Sequence, residues 1–314
     1  MPNADKYQIV TAPIPVANGD PVKAATEYWT EDRKAKARPL PLPSVNLASI
    51  QAAQWAAGGA MIAQGIQDLA APVHVQPVPP DGVPQTVAGA VTKRVTDITA
   101  NPYSVVVKLF MRFPAGDYIG TGWVIGERAI ISAGHCMYDH TLGGWATNVV
   151  AHARYHNGNE AAEWVLTQRS ALKEWVDTRN FEFDVSAGIA STPIRPITGK
   201  AGYIANQPAD QAPFLSVGYP GTSTPTFPFN GEEMWESTGG FQPPPWTGVV
   251  AMDNHMTGGC SGGPWFTSKP GGGPVACGLN SFILDFPPNK MHSPYFGPAF
   301  VRIVQWITDN GGDA

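Results

Sequence analysis

Short runs of apolar, β-branched residues dominate the chain from Val95 onward. The runs YSVVVKLFMRF (103–113), GTGWVIG (120–126) and RAIISA (128–133) are separated by the turn-forming residues 114–117 and 126–127. A second group contains FLSVGYP (214–220), GVVAMDN (248–254) and GPVACGLNSFIL (273–284), with a polar, glycine-rich connection at 221–247. Runs of this length, bounded by glycine and proline, are typical of antiparallel strands joined by turns. The pattern predicts an all-β protein.

Helical spacing occurs at two places in this part of the chain. ALKEWVDTRN (171–180) has the period of a helix. In AFVRIVQWITDN (299–310) the apolar residues recur along one face; they are Phe300, Val301, Ile303, Val304, Trp306 and Ile307. The second segment predicts a C-terminal helix that docks on a barrel through this apolar face.

Residues 1–94 have a different pattern. The proline-rich pieces ARPLPLP (37–43) and PVPPDGVP (77–84) bracket a stretch that suits a helix from about 46 to 70, interrupted at Gly58-Gly59. Such a helix cannot form a core alone, so it is either an interaction helix, a prosegment or a packed extension. Candidate processing points are Lys93-Arg94 before Val95, and Gln85 before Thr86. We expect residues 1–85 to be a prosegment or N-terminal extension.

The composition narrows the classes of function. The 314 residues carry a net charge of −5 and only 14% are charged, which argues against a surface for nucleic acid or membranes. No apolar stretch is long enough to span a bilayer, and the first thirty residues lack the basic start and apolar core of a secretion signal. The three cysteines, Cys136, Cys260 and Cys277, are odd in number and cannot form a disulfide framework.

The stretch GGCSGGP (258–264) carries the clearest chemistry. Its glycines allow a tight loop in which several backbone N–H groups point the same way. If the N–H groups of Gly259 and Ser261 converge, they form an oxyanion pocket beside the Ser261 hydroxyl, as acyl transfer requires. A glycine-rich turn with an incidental serine is the alternative. The choice depends on whether the chain supplies a base and an orienting acid.

His135 and Asp184 are the candidates for these roles. His135 follows the predicted strand 128–133, and Asp184 lies among apolar residues in NFEFDVSAGIA (180–190). A serine needs a neighbouring base, and a carboxylate on the other imidazole nitrogen fixes the tautomer. A structural histidine and a turn-capping aspartate are the alternatives, and Asp139 and Asp177 are alternative carboxylates. The order His, Asp, Ser is one of the known arrangements of this triad.

Four stretches together resemble a known family. TGWVIGERAIISAGHCMYD (121–139), FEFDVSAGIA (181–190), SVGYPG (216–221) and AMDNHMTGGCSGGPWF (251–266) resemble the trypsin-like serine endopeptidases, and most of all their V8-like and Bacillus glutamyl endopeptidase branch. The similarity covers about residues 86 to 310. RVTDITANPY (94–103) and TVAGA (86–90) are similar to segments near the mature N-terminus of the Bacillus enzymes.

The resemblance implies two six-stranded antiparallel Greek-key β-barrels with the active site between them. Residues 86–205 would form the first barrel, with His135 and Asp184, and residues 206–314 the second, with Ser261 and the C-terminal helix. In this reading His135 is the general base and acid, Asp184 orients it, and Ser261 forms the acyl-enzyme. Gly259 and Ser261 supply the oxyanion-hole N–H groups. The partners would be protein or peptide substrates, and the resemblance implies a monomer.

The chain departs from the family at several positions. Gly120 stands where the Bacillus enzymes have the cysteine that pairs with the one after the catalytic histidine, so we expect the Cys136 thiol to be buried and unpaired. Cys260 replaces the aspartate that receives the new N-terminus in trypsin. Asn280 stands at the position of the histidine that recognises a substrate carboxylate, and Met256 at that of a small hydroxyl residue. With Ser281, these two are the candidate residues of the specificity pocket.

These departures make a preference for glutamate doubtful, because neutral Asn280 and apolar Met256 compensate a carboxylate poorly. His255 is close enough in sequence to substitute, although a loop histidine facing solvent is the simpler interpretation. The family is mostly secreted, whereas the missing signal and missing disulfide also fit an intracellular protein. We expect no cofactor and no metal site. A pair at His152 and His156 has ligand spacing only in a helix, and NVVAHARYHNG reads as strand and turn.

Two competing functions remain. Gly259-Cys260-Ser261-Gly262-Gly263 also fits the G-x-S-x-G elbow of esterases and lipases. That fold needs its acid and histidine after the serine, where only Asp285 and His292 stand in a short tail. The second competitor is a binding protein of peptidase fold that has lost catalysis, although all three triad positions are filled here.

Overall fold

The structure is a computed structural model of the chain, and it describes residues 6–13, 19–46, 89–206, 213–268, 273–285 and 289–313. The helix predicted from about 46 to 70, apart from Asn46, lies outside these residues. The candidate processing point at Gln85 and Thr86 also lies outside them.

The N-terminal part contains short elements that lie on the rest of the protein. They are β1 (Ile9–Pro13), α1 (Pro21–Tyr28), α2 (Glu31–Lys36), β2 (Arg38–Pro39) and β3 (Ser44–Val45). Asp20 caps the N-terminus of helix α1, because its carboxylate accepts the N–H groups of Val22 and Lys23. Pro21 occupies the first turn of this helix. Helix α2 begins at Thr30, whose hydroxyl accepts the N–H of Arg33.

The middle of the chain forms a closed barrel. Residues 91–198 contain, in chain order, β4 (Val91–Arg94), a 3-10 turn (Tyr103–Val105), β5 (Val106–Phe113), β6 (Gly116–Val124), β7 (Ala129–Ser132), α3 (Gly134–Met137), β8 (Tyr138–Asp139), β9 (Gly144–Trp145), β10 (Thr147–Ala153), β11 (Ala162–Leu172), α4 (Lys173–Thr178), a 3-10 turn (Phe181–Phe183), β12 (Ser186–Ala190) and α5 (Arg195–Thr198). Six antiparallel strands close on themselves in the order β5, β6, β7, β12, β11, β10.

Strand β5 shows why the strands of this barrel have continuous apolar runs in their sequence. All its residues except Arg112 are buried, so both faces of the strand are covered. One face lines the barrel interior and the other packs under the N-terminal helices, where the Trp29 ring lies 5.5 Å from the Phe110 ring. Strand β1 pairs with β11 and β2 pairs with β6, so the N-terminal part extends the barrel sheet from outside.

Two sheets make up the second half. The remaining elements are β13 (Gly202–Tyr203), β14 (Phe214–Gly218), β15 (Trp235–Gly239), β16 (Phe241–Gln242), β17 (Val249–Asp253), β18 (Pro264–Ser268), β19 (Pro274–Leu279), β20 (Phe282–Leu284), β21 (Lys290–Pro294) and α6 (Pro298–Asp309). One sheet has the order β13, β19, β18, β14, β15, β4, and the other β16, β17, β21, β20, β3.

The predicted C-terminal helix is confirmed as α6. Its buried residues include Phe300, Ile303, Val304, Trp306 and Ile307, as the apolar face predicts. The helix packs on β11 and β12 of the barrel. After the helix, the carbonyl oxygens of Gly312 and Asp313 accept the N–H groups of Arg128 and Glu127, respectively. Among the described residues, no helix has the length and apolarity to cross a membrane.

Several strands lie where the sequence pattern does not predict them. Strands β15 and β16 lie inside the polar stretch 221–247, which the sequence predicts as a connection. Strand β4 pairs with β15 in the second half, so it crosses the expected division between 205 and 206. The candidate dibasic processing site lies on β4, where Lys93 pairs with Glu236 at 3.0 Å and Arg94 with Glu233 at 3.0 Å.

Candidate active site

The loop 258–264 has the tight backbone that its glycines predict. Gly259 has a φ of +93°, and a Cβ there would lie 2.6 Å from the carbonyl oxygen of Tyr219. Gly262 has a φ of +84°, and a Cβ there would lie 2.1 Å from the hydroxyl of Ser132. Only glycine fits both the conformation and the space at these positions.

Thr121 of the first barrel and Asn280 of the second half both hold this loop. The N–H of Thr121 donates to the carbonyl of Ser261 at 2.9 Å, and its hydroxyl donates to the carbonyl of Gly259 at 2.9 Å. The N–H of Gly262 donates to the carbonyl of Asn280 at 2.7 Å. Ser261 is therefore fixed at the junction between strand β6 of the barrel and the strands of the second half.

His135 lies in the short helix α3 at the end of β7, and Asp184 holds it by two hydrogen bonds. The ring Nδ1 lies 2.8 Å from Asp184 Oδ2, and the backbone N–H of His135 donates to Asp184 Oδ1 at 2.7 Å. Both residues are fully buried. The alternative carboxylates are engaged elsewhere: Asp139 accepts from Thr141 and Leu142 in its own turn, and Asp177 pairs with Lys173.

Ser281 is the residue whose position the sequence did not reveal. The sequence predicts it as a residue of the specificity pocket; in the structure its hydroxyl donates to Asp184 Oδ2, and its side chain is fully buried. This contact joins the two halves of the chain through residues that are 97 positions apart. No spacing pattern signals such a contact, because it depends on how the halves pack.

The two atoms that proton transfer would join are both buried. His135 Nε2 and Ser261 Oγ are both inaccessible to solvent, and neither has a hydrogen-bond partner. A buried polar atom without a partner costs free energy, so these positions are held by the surrounding structure rather than by their own bonding. Hydrogen bonds between a nucleophile and its base are often long in proteins without substrate.

Asn280 lies under the serine loop with its amide fully engaged. Its Oδ1 accepts from Ser216 Oγ at 2.8 Å, Trp265 Nε1 at 2.8 Å and Asn254 Nδ2 at 3.3 Å. Its Nδ2 donates to the carbonyl of Cys260 at 3.2 Å. The amide is fully buried and its groups are already bonded, so Asn280 stabilises the serine loop through its bond to Cys260.

Met256 belongs to an apolar cluster behind the serine loop. The buried members are Phe214, Phe229, Trp235, Val250, Met252, Met256, Cys260, Trp265 and Met291, and Leu42 and Ile283 pack against them. Every member is apolar. An acidic substrate side chain entering this region would meet no positive charge within the cluster.

His255 lies close in sequence to this cluster but turns to another partner. Its Nδ1 lies 3.0 Å from the hydroxyl of Thr92 on β4, and its ring lies 5.3 Å from the Phe227 ring. His255 and Phe227 line a cavity of about 350 Å³, and Thr224 and Asn289 also line it.

All three cysteines are free thiols, as expected for Cys136. Burial raises the pKa of both Cys136 and Cys260 well above the ordinary range of a thiol. A Cβ at Gly120 would lie 3.5 Å from Cys136 Sγ. The position at which the family resemblance places the missing cysteine therefore does face Cys136.

Three further histidines have partners away from the serine loop. His152 lies in β10 with Nε2 2.9 Å from Glu163, which also pairs with Lys34 Nζ at 3.1 Å, whereas the exposed His156 contacts Asn157. His152 and His156 thus have different partners, and among the described residues the one cluster with metal-ligand types is His152, Glu160 and Glu163. His292 stacks on Phe282 at 4.8 Å, and Asp285 accepts the hydroxyl of Ser44, so the residues that an esterase would need lie elsewhere.

Comparisons with known proteins agree with this geometry. No family model matches the chain. It is 29% identical over 134 residues to glutamyl endopeptidase of Bacillus licheniformis, which is 42% of this chain and 40% of that protein. It is also 29% identical over 100 residues to a Bacillus subtilis protein named extracellular metalloprotease, or 30% of this chain and 31% of that protein. The chain therefore matches less than half the length of these relatives.

A solved structure covers more of the chain. The thermostable serine protease AL20, from an extremophilic microorganism, is 28% identical and has a TM-score of 0.59. The match covers 66% of this chain and 97% of that one. The class that the closed barrel and this likeness define is the chymotrypsin-fold serine proteases. Within that class, the chain is similar in sequence to the glutamyl endopeptidase branch.

Proposed function

We propose that this protein is a serine endopeptidase that works through Ser261, His135 and Asp184. The observation that carries the proposal is the doubly bonded His135–Asp184 pair. It orients the ring with Nδ1 on the carboxylate, which leaves Nε2 as the free basic atom, and the neighbouring Cys136 Sγ lies 3.5 Å from the carbonyl oxygen of Ser261. That division of the two ring nitrogens is what general-base activation of a serine needs.

The proposed reaction has two halves. Ser261 Oγ attacks the carbonyl carbon of the substrate while its proton passes to His135 Nε2, and the same proton then goes to the leaving amine as the C–N bond breaks. Water repeats the sequence on the acyl-enzyme, which releases the carboxylic acid and restores Ser261. Asp184 stays ionised and stabilises the imidazolium. The N–H groups of Gly259 and Ser261 stabilise the oxyanion, and loss of one such donor costs roughly 3–4 kcal/mol.

The arrangement fits a two-barrel protease in which residues 86–205 and 206–314 supply the two walls of the cleft. We infer that the two sheets of the second half form the second six-stranded Greek-key barrel. Residues 1–85 then act as a prosegment, because β1, β2 and both N-terminal helices lie on the first barrel without contributing to the proposed triad. The protein is in that case made as a zymogen.

We propose that the substrate side chain beside Ser261 is apolar. Met256 is nearly fully buried among Met252, Cys260 and Met291, and the amide of Asn280 has no group left for a substrate. A glutamate side chain would lose its hydration without gaining a cation or a free donor, which is unfavourable by several kcal/mol. We therefore assign the substrates to proteins and peptides cut after small or aliphatic residues.

Labelling of Ser261 tests the proposal. A fluorophosphonate probe should react with the wild type at Ser261, and Ser261→Ala should abolish both labelling and the hydrolysis of casein. Asp184→Asn should lower the rate by roughly 10⁴, because the imidazole loses its tautomer. Persistent labelling of Ser261→Ala would contradict the mechanism. A protein that never labels, even after its N-terminal segment is removed, would instead be a catalytically silent binding protein of this fold.

A further inference from the structure

Residues 38–46, which we call the cleft segment, run in an extended conformation between the two halves of the protein. At one end, Arg38 and Pro39 pair in parallel with Tyr118 and Ile119 of β6. At the other, Ser44 and Val45 pair in parallel with Ile283 and Leu284 of β20. The same nine residues therefore bridge the barrel that carries His135 and the strand that follows Ser281.

The middle of the cleft segment lies on the serine loop. The N–H of Leu40 donates to Ile119 at 3.0 Å, and the carbonyl oxygen of Leu40 accepts the N–H of Gly259 at 2.9 Å. The approach is so close that a Cβ on Gly258 would lie 2.7 Å from this oxygen. One of the two N–H groups assigned to the oxyanion pocket is thus already occupied by a carbonyl of the chain itself.

Side chains hold the cleft segment as well as the backbone. Leu40 is 1% exposed and packs in the first-barrel core, and Val45 is 7% exposed against the cluster that contains Phe282. Leu42 packs against the apolar cluster that includes Met256. The carbonyl of Pro43 accepts the N–H of Ile283 at 3.0 Å. Leu40, Leu42, Pro43 and Val45 therefore each reach an apolar surface or a backbone donor on the two sides of the segment.

The sequence of the cleft segment makes it a poor substrate. Prolines at 39, 41 and 43 place a tertiary amide at every second bond, and the bond whose carbonyl meets Gly259 is Leu40–Pro41. The pyrrolidine ring crowds the nitrogen to which His135 would deliver a proton, and it fixes the backbone in an extended form. The segment can occupy the site without being cut there.

We propose that the cleft segment is an internal inhibitor, in which the Leu40 carbonyl fills the Gly259 donor and Leu42 lies at the substrate pocket. This deepens the proposed function and rests on it. Both Ser261 and His135 are fully buried while the segment is in place, so a protein substrate reaches them only after it leaves. The parallel pairings at its two ends span two residues each, and such short ladders separate readily.

Amide hydrogen exchange tests the contact without requiring activity. In a Ser261→Ala background, the amides of Gly259 and Ile283 should be protected in the full chain. Leu40→Asp, which puts a charge at a buried position, should release the segment and raise exchange at both amides by about tenfold or more, the ratio that corresponds to 1.4 kcal/mol. Val45→Asp should do the same at Ile283. Lys36→Ala, an exposed change just before the segment, is the control and should leave both amides protected.

Activity gives a second arm with Ser261 intact. Leu40→Asp and Val45→Asp should increase fluorophosphonate labelling of Ser261 over the wild type, and Lys36→Ala should not. An amidated, acetylated peptide RPLPLPSVN should inhibit the Leu40→Asp variant competitively and remain uncut, whereas the same peptide with Asp in place of its first leucine should not inhibit. Equal exchange and equal labelling in all variants, with no inhibition by the peptide, would overturn the proposal. If no variant is labelled, the proposed function fails, and the hydrogen-exchange result still decides whether the cleft segment occupies the Gly259 donor.

Discussion

Asp184 binds His135 with both carboxylate oxygens, one to the ring Nδ1 at 2.8 Å and the other to the backbone N–H at 2.7 Å. The carboxylate therefore fixes both the tautomer of the ring and the position of its backbone. A third donor, the hydroxyl of Ser281, comes from the other half of the chain. The orientation of the base depends on how the two halves meet.

Removing this third donor should slow catalysis without weakening substrate binding. Ser281→Ala takes one hydrogen bond from a buried carboxylate, and such bonds to charged groups contribute about 1.5–3 kcal/mol. We expect kcat to fall by about tenfold or more with little change in KM, measured on a peptide substrate. Ser170→Ala, which removes another buried hydroxyl of the first barrel, is the matched control. A change confined to KM would show that Ser281 binds substrate rather than positioning Asp184.

The apolar cluster behind Ser261 predicts the cleavage preference. A peptide library should give cuts after aliphatic residues at least about 100-fold more often than after glutamate, since burying an uncompensated carboxylate costs several kcal/mol. Met256→Ala should enlarge the pocket and shift the preference towards larger apolar residues. Efficient cleavage after glutamate by the wild type would contradict this assignment.

Gly120 and Cys136 are placed to accept an engineered disulfide. A Cβ on Gly120 would lie 3.5 Å from Cys136 Sγ, although the methyl of Met111 stands 2.8 Å away and has to move. Gly120→Cys should close a loop of about 16 residues and stabilise the oxidised protein by about 3 kcal/mol. Thermal unfolding with and without reductant measures this, and Gly120→Ala shows the cost of moving Met111. An equal Tm in the two redox states would contradict the prediction.

Glu182 predicts a pH-dependent stability. Burial raises the pKa of its carboxyl to about 7. Between the ordinary value of 4.5 and pH 7 the folded protein keeps a proton that the unfolded chain has released, so the free energy of unfolding falls as pH rises through this window. At pH 8 we expect Glu182→Gln to be more stable than the parent by about 1–2 kcal/mol, after allowance for solvent screening, and about equal at pH 4.

Denaturant titrations of Ser261→Ala proteins measure this effect without self-digestion. Glu27→Gln, a change at an exposed carboxylate in α1, serves as the control. A Glu182→Gln curve that runs parallel to the parent over the whole pH range would show that the carboxyl is ordinarily ionised in the folded state.

Several features follow from the sequence because they are local. Alternating and continuous apolar runs predict β5, β6 and β7, and helical spacing predicts α6, because these patterns depend only on which neighbours share a face. The glycines of the serine loop are also readable, since their positive φ values and close approaches exclude side chains. The order of His135, Asp184 and Ser261 suggested the chemistry, but order alone does not bring side chains together.

Other features were decided only by the packing of distant segments. Strand β15 is not readable from its polar stretch, because β14 and β4 supply its pairing and β4 lies far away in sequence. The sequence names Ser281 only as a candidate substrate contact, and the meeting of the two halves brings its hydroxyl to Asp184. The prolines of ARPLPLP hold it extended, and only the tertiary structure supplies the two walls and the Gly259 donor that it contacts.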